Sequence, residues 1–297
     1  MGKILVIGAA FVDVLVHVPK LPQTGDDVTG NLQGYRVGGS AFNVYGAIRY
    51  AQSPVDLFVP VGQGQYANQV RETLNKNQIS QRLSVTDADN GWDVAFVEPN
   101  GERSFLTING VEQLWQPKWF DNIMLTDYDY FYVSGYELEN ETTGSVILDA
   151  LSRRRPDATV LFDTSPRISF LSERTRQHLF DTNVLIHCNE TELNYLVPGP
   201  QSLPKKLTAL FELTHQPVVV TLGARGCYYN DGQTSAIMPV DPVHVVNTIG
   251  AGDTHCGGLL AALNQGAPFT EAVQHANQLA AMVVAQEKGS LLDVTKP

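Results

Sequence analysis

Asp253 lies in the stretch 247–256, Asn-Thr-Ile-Gly-Ala-Gly-Asp-Thr-His-Cys, where two glycines precede a carboxylate. The apolar run 243–246 before it predicts a buried strand, and the small residues and leucines at 257–264 predict a helix. A glycine-rich turn between them leaves N–H groups unpaired at the positive end of the helix macrodipole, which makes an anion site. A base beside such a site can activate a hydroxyl to attack a bound phosphoryl group. A helix cap, in which Asp253 only offsets the dipole, is the alternative.

Two places nearer the N-terminus also carry polar groups suited to a ligand. Asp13 lies inside the apolar segment 11–16, where a carboxylate is costly unless it is paired, faces a polar cleft or caps a turn at a strand end. Gly38 and Gly39 precede Asn43 in a helix predicted to run through residue 52. Glycine lets the backbone approach a ligand closely, and the Asn43 amide can both donate to and accept from a hydroxyl pair. A helix N-cap explains the same residues, so both interpretations stay open.

Composition and charge exclude several classes of protein. With 297 residues and 43% apolar side chains the chain can build a full core, which argues against disorder. The formal net charge of −11 argues against a nucleic-acid or anionic-membrane partner. The three cysteines have no metal or disulfide spacing, which fits a reducing cytosol. Because there is no signal-peptide pattern and no apolar run of about 20 residues, we expect a cytoplasmic protein that does not span a membrane.

Strand and helix patterns alternate from residue 55 onward, which predicts right-handed crossovers and a parallel sheet with helices on both faces. Strands are predicted at 3–7, 55–61, 129–134, 159–163, 184–187 and 218–222. Helices are predicted at 66–77, 142–155, 173–180, 190–197, 204–213 and 270–287, and a hairpin at 228–237. Sites in such sheets lie beyond the carboxyl ends of the strands, so the polar residues after each strand are the candidates for binding.

Two segments do not fit this alternation. Residues 28–37 are polar and interrupted by glycines, and 92–108 predicts a hairpin around the turn that contains Asn100 and Gly101. The two segments could pair as a small antiparallel sheet outside the main one. A pair of ordinary surface hairpins is the alternative.

The sequence 250–253 closely resembles the second signature of the PfkB (ribokinase-like) family of carbohydrate and nucleoside kinases. Gly38, Gly39 and Asn43 resemble its first signature, 189–192 its Asn-x-x-Glu motif, and 221–226 its nucleotide loop. The resemblance implies one kinase domain over 1–297 with a three-layer α/β/α fold and a mostly parallel central sheet. It further implies a small antiparallel β lid, formed by about 14–37 and 91–110, that closes over the acceptor.

The resemblance also implies a role for each matching position. Asp253 is the base, and the N–H groups around Gly250, Ala251 and Gly252 stabilise charge in the transition state. The acceptor site comprises Asp13, Gly39, Asn43 and Arg167, the last of which pairs with the transferring phosphate or forms an ordinary salt bridge. The ATP site comprises Asn189, Thr221, Gly223, Gly226 and Asn277. Glu192 holds Mg²⁺ through water, although helix capping also explains Asn189. Asn247 replaces the aspartate with which the family holds a potassium ion, so potassium stays open.

These matches predict an ATP- and Mg²⁺-dependent kinase that phosphorylates a hydroxyl of a sugar. A nucleoside kinase and a catalytically silent sugar- or nucleoside-binding regulator are the alternatives, and a homodimer stays open. A phosphorylated acceptor would need cations near the lid, for which Arg36 and Arg103 are candidates. A dinucleotide oxidoreductase is disfavoured, because the segment 8–11, Gly-Ala-Ala-Phe, lacks the glycine pattern of that class.

Overall fold

The computed structural model describes residues 2–292 and residue 294, with the side chain of Arg103 outside the described part. Its strands are β1 (Ile4–Ile7), β2 (Phe11–His17), β3 (Asn31–Gly38), β4 (Val55–Phe58), β5 (Pro60–Val61), β6 (Leu83–Ser84), β7 (Trp92–Val97), β8 (Arg103–Ile108), β9 (Tyr130–Ser134), β10 (Thr159–Asp163), β11 (Val184–Asn189), β12 (Val218–Thr221), β13 (Cys227–Asn230) and β14 (Ser235–Met238). Its helices are α1 (Ser40–Tyr50), α2 (Gln65–Lys76), α3 (Gly135–Leu138), α4 (Glu141–Leu151), α5 (Glu173–Asp181), α6 (Glu190–Leu196), α7 (Leu203–Thr214), α8 (Ala251–Asn264) and α9 (Phe269–Val284). Short 3-10 turns lie at Val111–Gln113, Pro117–Phe120, Leu125–Asp127, Pro166–Phe170 and Gly223–Arg225.

The larger sheet has the order β14-β13-β12-β11-β10-β9-β1-β4. The strands from β12 to β4 are parallel, and the hairpin β13–β14 adds an antiparallel edge. Both faces are buried because successive apolar residues point to opposite sides: Ile4 belongs to the core under α1, α8 and α9, and Leu5 to the core under α4 and α7. The predicted α/β fold with a mostly parallel central sheet between helix layers is confirmed.

The smaller sheet has the order β3-β2-β7-β8. The pairs β2–β3 and β7–β8 are antiparallel, whereas β2–β7 is parallel. The prediction that the segments 28–37 and 92–108 belong to a small sheet outside the main one is confirmed, but the two do not pair directly, because β2 lies between them. Strand β2 reads as an apolar segment in the sequence, and its partner β7 follows 75 residues later, a pairing that no local pattern encodes.

The predicted buried strand at 243–246 is wrong, because these residues form no strand. Val243, Val245 and Val246 are 41%, 54% and 48% exposed. The backbone N–H groups of Val246 and Asn247 donate to the Val284 carbonyl at 2.8 and 3.1 Å, so the segment runs along the end of α9. Three valines within four residues indicate burial only if a neighbouring strand is available, and the sheet already ends at β14.

Most other predicted elements are confirmed within a few residues, the usual scatter of element ends. Strand β10 has the predicted bounds, whereas the predicted helix 142–155 already ends at Leu151. Among the described residues, no helix combines the length and the apolar character needed to cross a membrane.

Candidate active site

The first turn of α8 begins with a glycine that no other residue can replace without strain. Gly250 has φ +74°, and a Cβ on it would lie 1.9 Å from the Gly289 carbonyl oxygen. A Cβ on Gly252 would meet nothing within 4 Å, so the backbone there is open to a ligand. The N–H groups that begin a helix have no partner inside it, which makes this turn suited to an anion. The Ala251 N–H donates to the Thr248 carbonyl at 3.3 Å, so it is less available than predicted.

Asp253 lies inside the first turn of α8 and makes no capping hydrogen bond there. Instead, the Asn43 amide donates from Nδ2 to Asp253 Oδ2 at 2.9 Å, across 210 residues of sequence. Burial raises the pKa of Asp253 to about 7, the nearby charge of Asp163 adds to the rise, and hydrogen bonds from Asn43 and Ser40 oppose it. A carboxylate with a pKa near 7 can accept a proton from a hydroxyl and release it again near neutral pH.

A cavity of about 1030 Å³ opens above Asp253 between the two sheets. Four of the predicted acceptor and catalytic side chains line it, namely Asp13, Asn43, Arg167 and Asp253, and the backbone of Gly39 completes its edge. This volume is at the upper end of the range for small-molecule sites. Residues from positions 13 to 253 thus meet at one site.

The smaller sheet, predicted to act as the lid, presents a polar row to the cavity. Asp13 of β2 lies opposite Arg36 of β3 on one side and opposite Asp93 of β7 on the other, and Asp93 lies opposite Thr107 of β8. All four line the cavity. Two residues further along the strands, Leu15, Ala95 and Phe105 form an apolar row on the same face.

Asp13 and Asp93 form a pair of neighbouring carboxyl groups in that polar row. Burial, followed by the adjacent charge of Asp13 and a hydrogen bond with it, raises the pKa of Asp93 to about 7. Among the described residues, Asp93 Oδ1 is buried without a hydrogen-bond partner. The pair therefore offers one carboxyl group that can donate and one carboxylate that accepts, which suits a hydroxyl-bearing ligand.

Gly39 allows the loop before α1 to pass close to β2. It has φ +99°, and a Cβ on it would lie 2.9 Å from the Ala9 carbonyl oxygen. A Cβ on Gly38 would lie 3.2 Å from Asp13 Oδ2. The two glycines thus set the distance between Asp13 and the beginning of α1, which carries Asn43.

Arg167 lies at the rim of the cavity on the 3-10 turn after β10. Its Nε is 3.5 Å from Glu139 Oε2, and its guanidinium lies over the rings of Tyr136 and Phe170 at 5.5 and 5.8 Å. The salt bridge named as the alternative is present, and the side chain still borders the cavity. A partly exposed pair of this kind leaves the guanidinium able to reach an incoming phosphate.

Asn189 and Glu192 form a reciprocal capping box at the start of α6. Glu192 Oε2 accepts from the Asn189 backbone N–H at 2.9 Å and from the Thr164 hydroxyl at 2.7 Å, and Oε1 accepts from Asn189 Nδ2 at 2.8 Å. With three donors already bound, the carboxylate has little capacity left for direct coordination. The donor set fits Mg²⁺ held through a water molecule, since Mg²⁺ usually keeps several waters.

The surroundings of Asn247 do not fit a potassium ion. Asn247 Nδ2 donates to the Glu287 carbonyl at 2.9 Å, and Oδ1 accepts from the Ile249 N–H at 3.1 Å. Exchanging the amide atoms would place two donors against each other at Ile249, so this orientation is the consistent one. A side chain that donates to the neighbouring carbonyl takes the place that a cation would need.

The predicted nucleotide loop follows β12 and turns back into β13. Gly223 has φ +60° and open space where a Cβ would be, whereas a Cβ on Gly226 would lie 2.1 Å from the Met238 carbonyl oxygen. Gly223 is therefore the position at which a ligand can lie against the backbone, and Gly226 serves the packing of β14. Thr221 ends β12, and its hydroxyl donates to the Cys188 carbonyl at 3.4 Å.

Asn277 is buried in α9 and turned inward. Its Nδ2 donates to the carbonyls of Met238 and Pro239 at 3.0 and 3.3 Å, and His255 Nε2 lies 3.2 Å from its Oδ1. Its amide hydrogens are thus used within the protein. The side chain thus holds the segment after β14.

The sequence did not identify three residues of the site. Asp93 lines the cavity, and Asp163 and His187 act on the charge of Asp253. Asp93 carries the signal that identified Asp13, a carboxylate among apolar and aromatic residues of a strand. Asp163 ends β10, and its Coulombic effect on Asp253 depends on how β10 and α8 pack. His187 lies in a strand whose apolar neighbours gave no sign of a partner on α8.

Comparisons with known proteins identify the family of the chain. A family model described as pfkB family carbohydrate kinase matches residues 1–295. The chain is 31% identical over 291 residues to an uncharacterized sugar kinase, YegV, of Escherichia coli K12, covering 97% of this chain and 90% of that protein. A ribokinase structure from Thermotoga maritima is similar with TM-score 0.82 and 20% identity, covering 97% and 93% of the two chains. A ribokinase from Cryptococcus neoformans in complex with ADP is similar with TM-score 0.78 and 23% identity, covering 98% and 96%.

Proposed function

Because this chain belongs to the pfkB family of carbohydrate kinases, which are phosphotransferases that act on hydroxyl groups, we propose that it transfers the γ-phosphoryl group of ATP to a hydroxyl of an uncharged sugar. The observation that carries the proposal is the 2.9 Å hydrogen bond from Asn43 to Asp253, on the wall of the cavity and at the beginning of α8. That contact supports the proposal because it joins a carboxyl group of raised pKa to an amide that can bind a hydroxyl, in the first turn of a helix, where anions are favoured.

In the proposed reaction, ionised Asp253 takes the proton of the acceptor hydroxyl. The acceptor oxygen forms a bond to the γ-phosphorus, and the bond between that phosphorus and the oxygen bridging to the β-phosphate breaks, which releases ADP. Because the pKa of Asp253 is about 7, roughly half of the protein carries the ionised base at neutral pH. Protonation of Asp253 below that pH removes the base.

The first turn of α8 stabilises the charge that develops on the transferring group. Its unpaired N–H groups and helix dipole favour anions, and the open backbone at Gly252 permits close approach. Arg167 at the rim adds a cation within reach of the phosphate. Glu192 would hold Mg²⁺ through water, and the bound ion would neutralise charge on the ATP phosphates. Gly223 offers its open backbone to the nucleotide.

The polar row of the lid supports an uncharged acceptor. Asp13 and Asp93 lie side by side on the cavity face, and Glu112, Glu137 and Glu139 also line the cavity. These carboxyl groups disfavour a phosphate or carboxylate on the acceptor beside them, while Lys76 and Lys288 line the cavity as well. Arg36, predicted as a candidate cation for such a group, lies opposite Asp13, whose charge offsets its own. The Arg103 side chain lies outside the described residues.

The alternatives differ in what they leave unexplained. A catalytically silent regulator needs the acceptor cavity but gives no role to Asp253 with its raised pKa. A nucleoside kinase would place a base against the apolar row of Leu15, Ala95 and Phe105, while the carboxyl pair would still hold the hydroxyls. The carboxyl pair needs only hydroxyls, so a sugar is the acceptor we propose.

A panel of acceptors with release of ADP as the readout tests the proposal. Neutral pentoses, hexoses and polyols, ribonucleosides and sugar phosphates are compared at equal concentration with ATP and Mg²⁺. We expect the highest kcat/KM for a neutral sugar, and an increased acceptor KM for Asp13→Asn and Asp93→Asn. The matched control is Asp27→Asn, which changes an exposed aspartate. A sugar phosphate as the best acceptor would contradict the acceptor assignment, and no ADP release above background with any hydroxyl compound would contradict the kinase assignment.

The proposal treats residues 1–297 as one kinase domain whose lid, about 14–37 and 91–110, closes on the acceptor. It places the enzyme in the cytoplasm, where ATP is available, which cell fractionation would test.

The proposal also includes a homodimer formed through the lid. The lid exposes Leu32, Leu106 and Ile108 at 56%, 55% and 43%. Sedimentation velocity giving a monomer at micromolar concentration would contradict that part alone.

A further inference from the structure

A chain of buried polar side chains runs from the carboxyl end of β10 to the segment after β14. His187 of β11 has Nδ1 3.4 Å from Asp163 Oδ1 and Nε2 3.0 Å from His255 Nδ1. His255 Nε2 lies 3.2 Å from Asn277 Oδ1. All four residues are less than 9% exposed, and the reaction proposed above uses none of them directly.

The hydrogens of this chain can be assigned from its fixed end. Asn277 Nδ2 faces two carbonyl oxygens, those of Met238 and Pro239, so its Oδ1 is an acceptor. His255 Nε2 must therefore carry a hydrogen and donate to it. Burial lowers the pKa of His255 to about 3, so the ring is neutral and its Nδ1 is an acceptor. It follows that Nε2 of His187 must be the donor in the contact between the two rings.

This assignment leaves a conflict at the other nitrogen of His187. If His187 were neutral, its Nδ1 would carry a lone pair directed at Asp163 Oδ1, only 3.4 Å away. A carboxylate oxygen is also an acceptor, so two acceptors would face each other in a buried site. The other oxygen of Asp163 accepts from the Tyr132 hydroxyl at 3.2 Å, which stabilises a carboxylate. A second hydrogen on His187 removes the conflict and makes an ion pair.

We propose that His187 is an imidazolium paired with Asp163 beside Asp253. His255 and Asn277 fix the positions of its hydrogens. His187 is then a positioning residue that keeps Asp253, the base, ionisable near neutral pH. The proposal rests on Asp253 being the base for its kinetic consequence but not for the protonation state of His187. Asp163 raises the pKa of Asp253 and His187 lowers it, so the imidazolium offsets a charge that would otherwise hold the base protonated.

The other titratable groups around the pair act in known directions. They are Tyr132 on β9, Tyr136 and Glu137 on α3, Cys188 on β11, Glu192 on α6, and His255 and Cys256 on α8. Burial raises the pKa of Tyr132 and of Cys256 well above their ordinary values, so both stay neutral. Burial also raises the pKa of Glu137 to about 7, and its charge repels that of Asp163. Among the described side chains, His187 is therefore the cation placed between these carboxylates.

Nitrogen NMR of the labelled protein tests the protonation state without any assay of activity. At pH 7.5 we expect His187 to show a hydrogen on both ring nitrogens and His255 to show one on Nε2 alone. Asp253→Asn should retain both patterns, which separates this inference from the proposed function. A single hydrogen on His187 would overturn the proposal. So would a stoichiometric metal ion, because Asp163, His187 and Cys256 offer ligand atoms within 4.8 Å of one another.

The pH profile of kcat/KM tests the positioning role. Replacing the cation in His187→Asn should move the acid limb of the profile upward by about one pH unit, the lower end of the effect of a nearby opposite charge. The value of kcat/KM at pH 7 should then fall about 5-fold and recover at pH 9. The double variant Asp163→Asn/His187→Asn should return the limb toward the wild-type position.

The control for this profile is His178→Gln, which changes a surface histidine on α5 and should leave the limb in place. A loss in His187→Asn that is equal at every pH would indicate a merely structural role and would overturn the positioning assignment. A wild-type profile with no acid limb near pH 7 would instead contradict Asp253 as the base, and the NMR result would stand apart from it.

Discussion

Replacing Asp253 by asparagine should make the protein more stable at pH 8, although it removes the proposed base. Burial raises the pKa of Asp253 from its ordinary value of 3.8 to about 7, which means that the folded protein resists the ionised form. The difference corresponds to an upper limit of about 4 kcal/mol in the free energy of unfolding at pH 8. The asparagine Oδ1 can still accept the hydrogen bond from Asn43, so little is lost in exchange.

The sign of this effect depends on pH in a defined way. Between pH 3.8 and about 7 the folded state keeps the Asp253 proton that the unfolded state has released, so the wild-type protein loses stability as pH rises through that window. Asp253→Asn lacks this dependence. Its advantage over the wild type should therefore be small at pH 4, grow up to about pH 7 and stay constant above it.

Thermal or denaturant unfolding of the unliganded protein at pH 5 and pH 8 measures the difference. Because about 1 kcal/mol corresponds to roughly 2 °C for a chain of this size, we expect a gain in Tm of roughly 2–8 °C at pH 8. The control is Asp121→Asn, which changes an exposed aspartate. If Asp253 were only a helix cap, its replacement would instead cost a few tenths to about 1 kcal/mol at both pH values. A destabilised variant at pH 8 would refute the reasoning.

Two further predictions follow from the lid and from the first turn of α8. In the free protein, the amide hydrogens of β3, β7 and β8 should exchange faster than those of β9–β11, because the lid sheet has solvent on its outer face. Their exchange should slow down when the acceptor binds. Core-like protection without acceptor would contradict a mobile lid. Gly250→Ala should lower Tm and abolish ADP release because its Cβ would lie 1.9 Å from the Gly289 carbonyl oxygen, whereas Gly252→Ala, with open space at that position, should keep the wild-type Tm or exceed it. Equal Tm values for the two variants would show that the turn does not need its left-handed glycine.

Several parts of the site were predictable because their signals are local. Asp253, Asn43 and Gly39 are each marked by a short pattern at the start of a helix, and the alternation of strands and helices implies that such places meet at one edge of the sheet. Their arrangement around one cavity follows from that topology. The interpretation of Asp13 followed from the free-energy cost of a carboxylate in an apolar strand. That cost can be inferred without knowing which residue pairs with Asp13.

Other parts depend on contacts that no local pattern encodes. The pairing of Asp13 with Asp93 needs the parallel register of β2 and β7, and the ring contact of His187 with His255 joins positions 68 residues apart. Asn277 is assigned to the ATP site by the resemblance alone, and its contacts with the carbonyls after β14 depend on the packing of α9. The run 243–246 has the composition of a strand, but the sheet offers it no partner.

The central claim is that Asp253 is the base of a sugar kinase, and the turnover of Asp253→Asn tests it most directly. The change nearly preserves size and keeps an acceptor for Asn43, but an amide cannot take a proton. With the preferred acceptor at saturating ATP and Mg²⁺, we expect kcat to fall by roughly 10²–10⁴-fold, while the Kd for ATP stays the same or decreases. A folded variant that retains more than about a tenth of the wild-type kcat would contradict the claim.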